Sequence, residues 1–293
     1  MANKDDLSDK MLRLTLRVTR ERMSASVGDP QSHGGIVYDP YELNNAISPA
    51  ANLREAFRKS ELLESGYRRA LILTDAPVML VPAEEFSEAA ADTLYRYTHT
   101  LPGSDKVLWR ALPNLNCVAV MAMNRDLLTV VEDHFKDIRL TSLCEPVWTH
   151  LYKRNFTGPR QKLFAYFFDR KMNVFRFGQN RFKFCNTFDA ARSHDALYYL
   201  LYVWRQLGMD AENDELHIVG NITDEEWLCG QLASYLRRVV CISPQVEFRN
   251  IAMAADKAIP YDLKAVYLDE EGWQSTVPPT AMATRGTQAD SGE

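Results

Sequence analysis

Three groups of residues carry side chains capable of chemistry. Ser193-His194-Asp195 offers a nucleophile, a base and an orienting acid, but consecutive residues at a helix start fan outward, whereas a catalytic relay needs them to converge. A helix-cap and surface role is the preferred reading. The six histidines are dispersed, and no H-E-x-x-H or Cys/His spacing suggests a metal. Cys117, Cys144, Cys185, Cys229 and Cys241 form no C-x-x-C pair and sit among apolar residues, the pattern of reduced, buried thiols. The third group is basic. Between Lys153 and Lys183 lie nine Lys or Arg against one acid, Asp169, with eight Phe or Tyr interleaved. Basic charge with aromatics on a sheet is a way to hold single-stranded nucleic acid. However, Arg181 and Lys183 alternate with Phe182 and Phe184, which turns rings inward and charges outward. With Arg176 they form a basic outer face. It is solvated, or it meets an acidic partner; the net charge of −5 argues against nucleic acid.

The elements that position these residues repeat. Residues 161–184 read as three short antiparallel strands, followed by a long helix that starts at Thr187 or Asp189 and ends at Gly208. Leu12 to Tyr41 reads as the same meander, beginning with LRLTLRV, whose alternation predicts a half-buried strand. Ser48-Pro49 opens a helix that Gly66 closes. Strands follow at Arg69–Leu73 and Val78–Pro82, then a helix from Ser87 to Thr98. Two more strands, KVLWRAL and CVAVMAM, precede a helix capped by Asn124. IRLTSLC is a strand, and Pro146 begins a helix. Residues 155–160, with Gly158-Pro159, mark the best boundary. LHIVG is a buried strand, Thr223 and Glu226 form a capping box, and the apolar VVCIS predicts a central strand. Residues 1–10 and 271–293 read as disordered tails. No signal peptide and no apolar run of about 18 residues is visible, which points to a cytoplasmic protein without a membrane span.

Two copies of strand–strand–strand–helix–strand resemble the sugar-kinase, heat-shock-chaperone and actin superfamily. More closely, LRLTLRV, ASVGD at Ala25–Asp29 and IPYDL at Ile259–Leu263 resemble a bacterial family of unknown function with an actin-like ATPase fold. The resemblance implies an α/β protein of two ribonuclease-H-like lobes with mixed sheets, at 11–155 and 160–270. A small α+β subdomain is inserted at about 75–124. It also implies an ATP and Mg²⁺ site at the hairpin turns, where active members carry Asp and Gly. Here the first turn is Thr19-Arg20-Glu21-Arg22, with neither. The second is Phe168-Asp169-Arg170-Lys171-Met172, where Asp169 is in place but the glycine is missing, and an Asp there also suits the turn itself. The third retains Gly220 alone, followed by Asp224, Glu225 and Glu226, which would repel phosphate at that helix N-terminus. Asp169 and Gly220 are therefore vestigial nucleotide-site candidates. No cofactor is expected, and a non-catalytic scaffold or regulator with a protein partner is preferred. An unconventional ATPase or kinase, and a nucleic-acid-associated protein, are the alternatives.

Overall fold

The computed structural model describes residues 12–28, 36–179, 181–249 and 256–268. Both expected tails lie outside the described residues. Two five-stranded sheets share one topology. The first comprises β1 (Leu14–Val18), β2 (Met23–Gly28), β3 (Ile36–Tyr41), β4 (Arg69–Thr74) and, after the insertion, β8 (Asp137–Ser142), ordered β3-β2-β1-β4-β8. The second comprises β9 (Lys162–Phe168), β10 (Lys171–Gly178), β11 (Arg181–Asp189), β12 (Glu215–Gly220) and β13 (Val239–Cys241), ordered β11-β10-β9-β12-β13. In each, an antiparallel meander continues into two parallel pairings, β1·β4 and β4·β8 or β9·β12 and β12·β13. Between β4 and β8, the strands β5 (Val78–Pro82), β6 (Asp105–Leu112) and β7 (Cys117–Asn124) form a separate sheet ordered β5-β7-β6.

The helices are α1 (Pro49–Lys59), α2 (Glu61–Glu64), α3 (Glu88–Thr98), α4 (Arg125–His134), α5 (Cys144–Asn155), α6 (Ser193–Gln206), α7 (Glu225–Ala233), α8 (Pro244–Glu247) and α9 (Tyr261–Leu268). Several start where the sequence marks them. Ser48 accepts from the Ala51 N–H, and Asn124 from those of Asp126 and Leu127. Both satisfy amides that a helix start leaves unpaired.

Several expectations are corrected. The first helix does not run through to Gly66; Ser60 breaks it, accepting from Leu63 N–H to open α2. β1 is not half-buried. Leu14, Leu16 and Val18 pack with α1 and α4, while α9 covers Arg17 on the opposite face, and Arg13 is buried against Ala70 O and Asp137. The helix after the meander begins at Ser193 because β11 stays paired with β10 as far as Asp189. The α7 capping box does not form: Asp224 takes the N-cap position with φ +52° and makes no side-chain cap bond. β13 is a three-residue edge strand; its apolar neighbours serve two cores, Val239 beneath α7 and Ile242 with α5 and α9. Finally, Cys229 and Cys241 are joined as a disulfide, while Cys117, Cys144 and Cys185 are free.

Candidate functional site

A cleft of about 380 Å³ opens where the two sheets face each other. One side carries Arg17, at the end of β1, and Arg22, from the first hairpin. That hairpin is tightened by Thr19, whose hydroxyl donates to Arg22 O at 3.0 Å and accepts from Arg22 N–H. The other side carries Asp169 from the turn joining β9 to β10. Asp169 and Arg170 both have positive φ, 40° and 63°. This is the type I′ geometry whose twist matches two-residue hairpins, and Asp tolerates it well.

The charges of the two hairpins engage each other. Arg17 Nη1 lies 3.0 Å from Asp169 Oδ2, and Arg22 Nε lies 3.7 Å from Asp169 Oδ1. Arg17 Nε donates to Asp262 Oδ2 at 2.8 Å, and that oxygen also accepts from Tyr166 Oη at 3.0 Å. Asp262 is completely buried near the start of α9, and the side chains of Arg17 and Asp169 are 2% and 6% exposed. Burial disfavours the guanidinium charge, but the Asp262 and Asp169 carboxylates outweigh it and hold the Arg17 pKa above its ordinary value. Burial pushes the Tyr166 phenol well above its ordinary range, assisted by the Asp262 charge, so it stays a neutral donor.

Gly220 stands at the end of β12 with φ +103°, and a Cβ there would overlap the Phe167 carbonyl oxygen. The next amide, Asn221 N–H, donates to that oxygen at 3.0 Å. Only glycine permits so close an approach of backbones. Asp169 and Gly220, expected in one site, therefore do line one cleft, together with Lys257 and Glu225.

The remaining candidates lie elsewhere. Arg181 and Lys183 are exposed on β11, whereas Arg176 on β10 is half-buried and hydrogen-bonded to Gln161. Ser193, His194 and Asp195 form no relay: Ser193 donates to Thr223 O at 2.6 Å, and His194 packs on Trp227. A second cleft, of about 390 Å³, lies beside β11 and includes the Asp75–Lys171 ion pair (2.7 Å) and Cys185. Burial pushes the Cys185 thiol up to about 12, too high for a thiolate nucleophile at neutral pH.

Arg17 and Asp262 were missed as site residues. Arg17 reads as the polar face of an alternating strand, and its partner is 245 residues away. The available signal was an aspartate in the otherwise apolar start of IPYDLKAVYL, where an unpaired carboxylate would be costly to bury.

Two sheets of one topology, facing across a cleft between their hairpins, define a protein of the actin-like ATPase fold. A Bacteroides thetaiotaomicron protein described as having that fold and unknown function superimposes with a TM-score of 0.77 at 24% identity. The match covers 92% of this chain and 99% of that one. A PilM–PilN type IV pilus biogenesis complex matches with a TM-score of 0.53 at 13% identity, over 89% of this chain and 96% of that one. The chain belongs to the DUF3822 family of proteins of unknown function, whose pattern matches residues 2–239. No curated protein matches the sequence. Among the described residues, no helix is long and apolar enough to cross a membrane.

Proposed function

We propose that this protein is a non-catalytic scaffold or regulatory member of the actin-like fold, built as two lobes, 11–155 and 160–270, whose cleft is held by its own ion pairs. The observation that carries this reading is Arg17, fixed between Asp169 and Asp262. A carboxylate that is to hold hydrated Mg²⁺ must be free of competing cations, and Asp169 is engaged by two arginines. Glu225 faces the same cleft and opposes a triphosphate. The chain's residues do not fit Mg-ATP as the fold's active members hold it. A fold also solved as a PilM–PilN complex is compatible with a role exercised through a protein partner.

A second reading, an unconventional ATP-binding enzyme, draws on Arg22 and Lys257, which line the cleft and are cationic. Thermal unfolding with millimolar Mg-ATP or Mg-ADP separates the two. A ligand at 100 times its Kd stabilises the native state by about 2.7 kcal/mol. The scaffold reading expects no shift in melting temperature and no phosphate release above background. A saturable shift together with hydrolysis that Asp169→Ala abolishes would favour the enzyme.

A further inference from the structure

Apart from the ion pairs, Glu225 at the lip of the cleft belongs to a cluster whose two cysteines the scaffold reading does not use. Glu225 and Cys229 lie one helical turn apart on α7, so they share a face. That face crosses the end of β13, where Cys241 pairs with Ile218 of β12. One carboxylate oxygen and the two sulfurs all lie within 4.8 Å of one another. Glu225 is exposed and also borders the cleft.

The cysteine backbones are set wide, with Cα atoms 7.4 Å apart. Disulfides usually span about 4.4–6.8 Å between Cα atoms. A metal ion between two thiolates, with metal–sulfur bonds of about 2.3 Å, reaches further than a single sulfur–sulfur bond. The third donor matters too. A carboxylate adds nothing to a disulfide, but it completes a set suited to a borderline-soft divalent ion.

We propose that, once reduced, Glu225, Cys229 and Cys241 form a three-ligand site for a thiophilic divalent cation such as Zn²⁺, with water in the fourth tetrahedral position. A phosphine reductant supplies two electrons to the disulfide and leaves as its oxide, while water supplies the oxide's oxygen and the two thiol protons. Metal binding then releases the two thiol protons to solvent, forms two metal–sulfur bonds and one metal–oxygen bond, and moves no further electrons. The bound ion would tie α7 to the edge strand beside the cleft.

The test uses the full chain, reduced with a phosphine under argon and titrated with Co²⁺ as a spectroscopic probe, then with Zn²⁺. The site predicts a thiolate-to-cobalt charge-transfer band saturating at one ion per chain and displaced by Zn²⁺. The band is lost in Cys229→Ser and Cys241→Ser, retained in Cys185→Ser, and Co²⁺ affinity falls roughly 10-fold or more in Glu225→Gln. Circular dichroism melts confirm that each variant folds. Should a cysteine variant fail to fold, Glu225→Gln decides the matter, since Glu225 is exposed; unchanged affinity there removes the carboxylate from the site. Absence of the band, its persistence in a folded Cys229→Ser variant, or a disulfide that resists reduction and takes up no metal overturns the proposal.

Discussion

Replacing Arg17 with Met removes the guanidinium while keeping an unbranched side chain of similar reach. Asp262, fully buried, then keeps, among the described residues, the Tyr166 hydroxyl and the Leu263 N–H as donors. Among the described residues, Asp169 keeps Arg22, at 3.7 Å, whose side chain is 63% exposed. Removing one partner of a buried ion pair costs about 3–5 kcal/mol, because the remaining charge is uncompensated. For a chain of this size that lowers the melting temperature by on the order of 10 °C. The double variant Arg17→Met/Asp262→Asn removes the fully buried Asp262 charge as well and leaves Asp169 with Arg22, and replacing both members of such a pair is often nearly neutral. Urea unfolding at pH 7 of wild type, both single variants and the double variant measures the cycle. The expected coupling is about 2–3 kcal/mol, with the double variant more stable than Arg17→Met. A loss below about 1 kcal/mol in Arg17→Met, or additive single effects, would refute the claim that this network holds the halves together.

Two further predictions concern neighbouring features. Gly220→Ala must place a Cβ against the Phe167 carbonyl at a positive φ, so thermal melting should show a loss of at least about 2 kcal/mol. Burial alone would raise the Glu247 carboxyl, but hydrogen bonds from His150 and Arg154 outweigh it and hold it at about 2. The stability this contributes is complete above the ordinary value of 4.5 and is lost as pH falls from there through about 2. Solvent screening limits it to about 1 kcal/mol. Glu247→Gln should accordingly flatten the acid limb of the stability curve, and an unchanged limb would contradict the assignment.

The repeated meander was legible because strand periodicity is local: alternation in β1 and at the start of β11, the Asn124 cap and the Ser48-Pro49 helix start each need only a few neighbours in sequence. What escaped notice depends on distant packing. Whether Arg17, on the polar side of β1, meets water or another helix is decided by α9, more than 200 residues later, so Arg17 reads as solvated. β13 was misjudged for the same reason in reverse, since an apolar run records that a strand is covered on its faces and says nothing about a neighbour at its edge. Of the candidate site, Asp169 and Gly220 were picked out only through the turns at which the family resemblance places a nucleotide. The arginine standing between the hairpins was not, because ion pairing leaves no periodic trace.

The position of α9 also sets an order of events. Arg17 and Asp262 are separated by 245 residues, and at about 5–20 residues per second a ribosome needs roughly 10–50 s to travel from one codon to the other. Throughout that interval the first sheet lacks the helix that covers its second face, and Arg17 must stay hydrated. The N-terminal half therefore cannot complete its core as it emerges; its last layer arrives from the far end of the message, after the second sheet has been made.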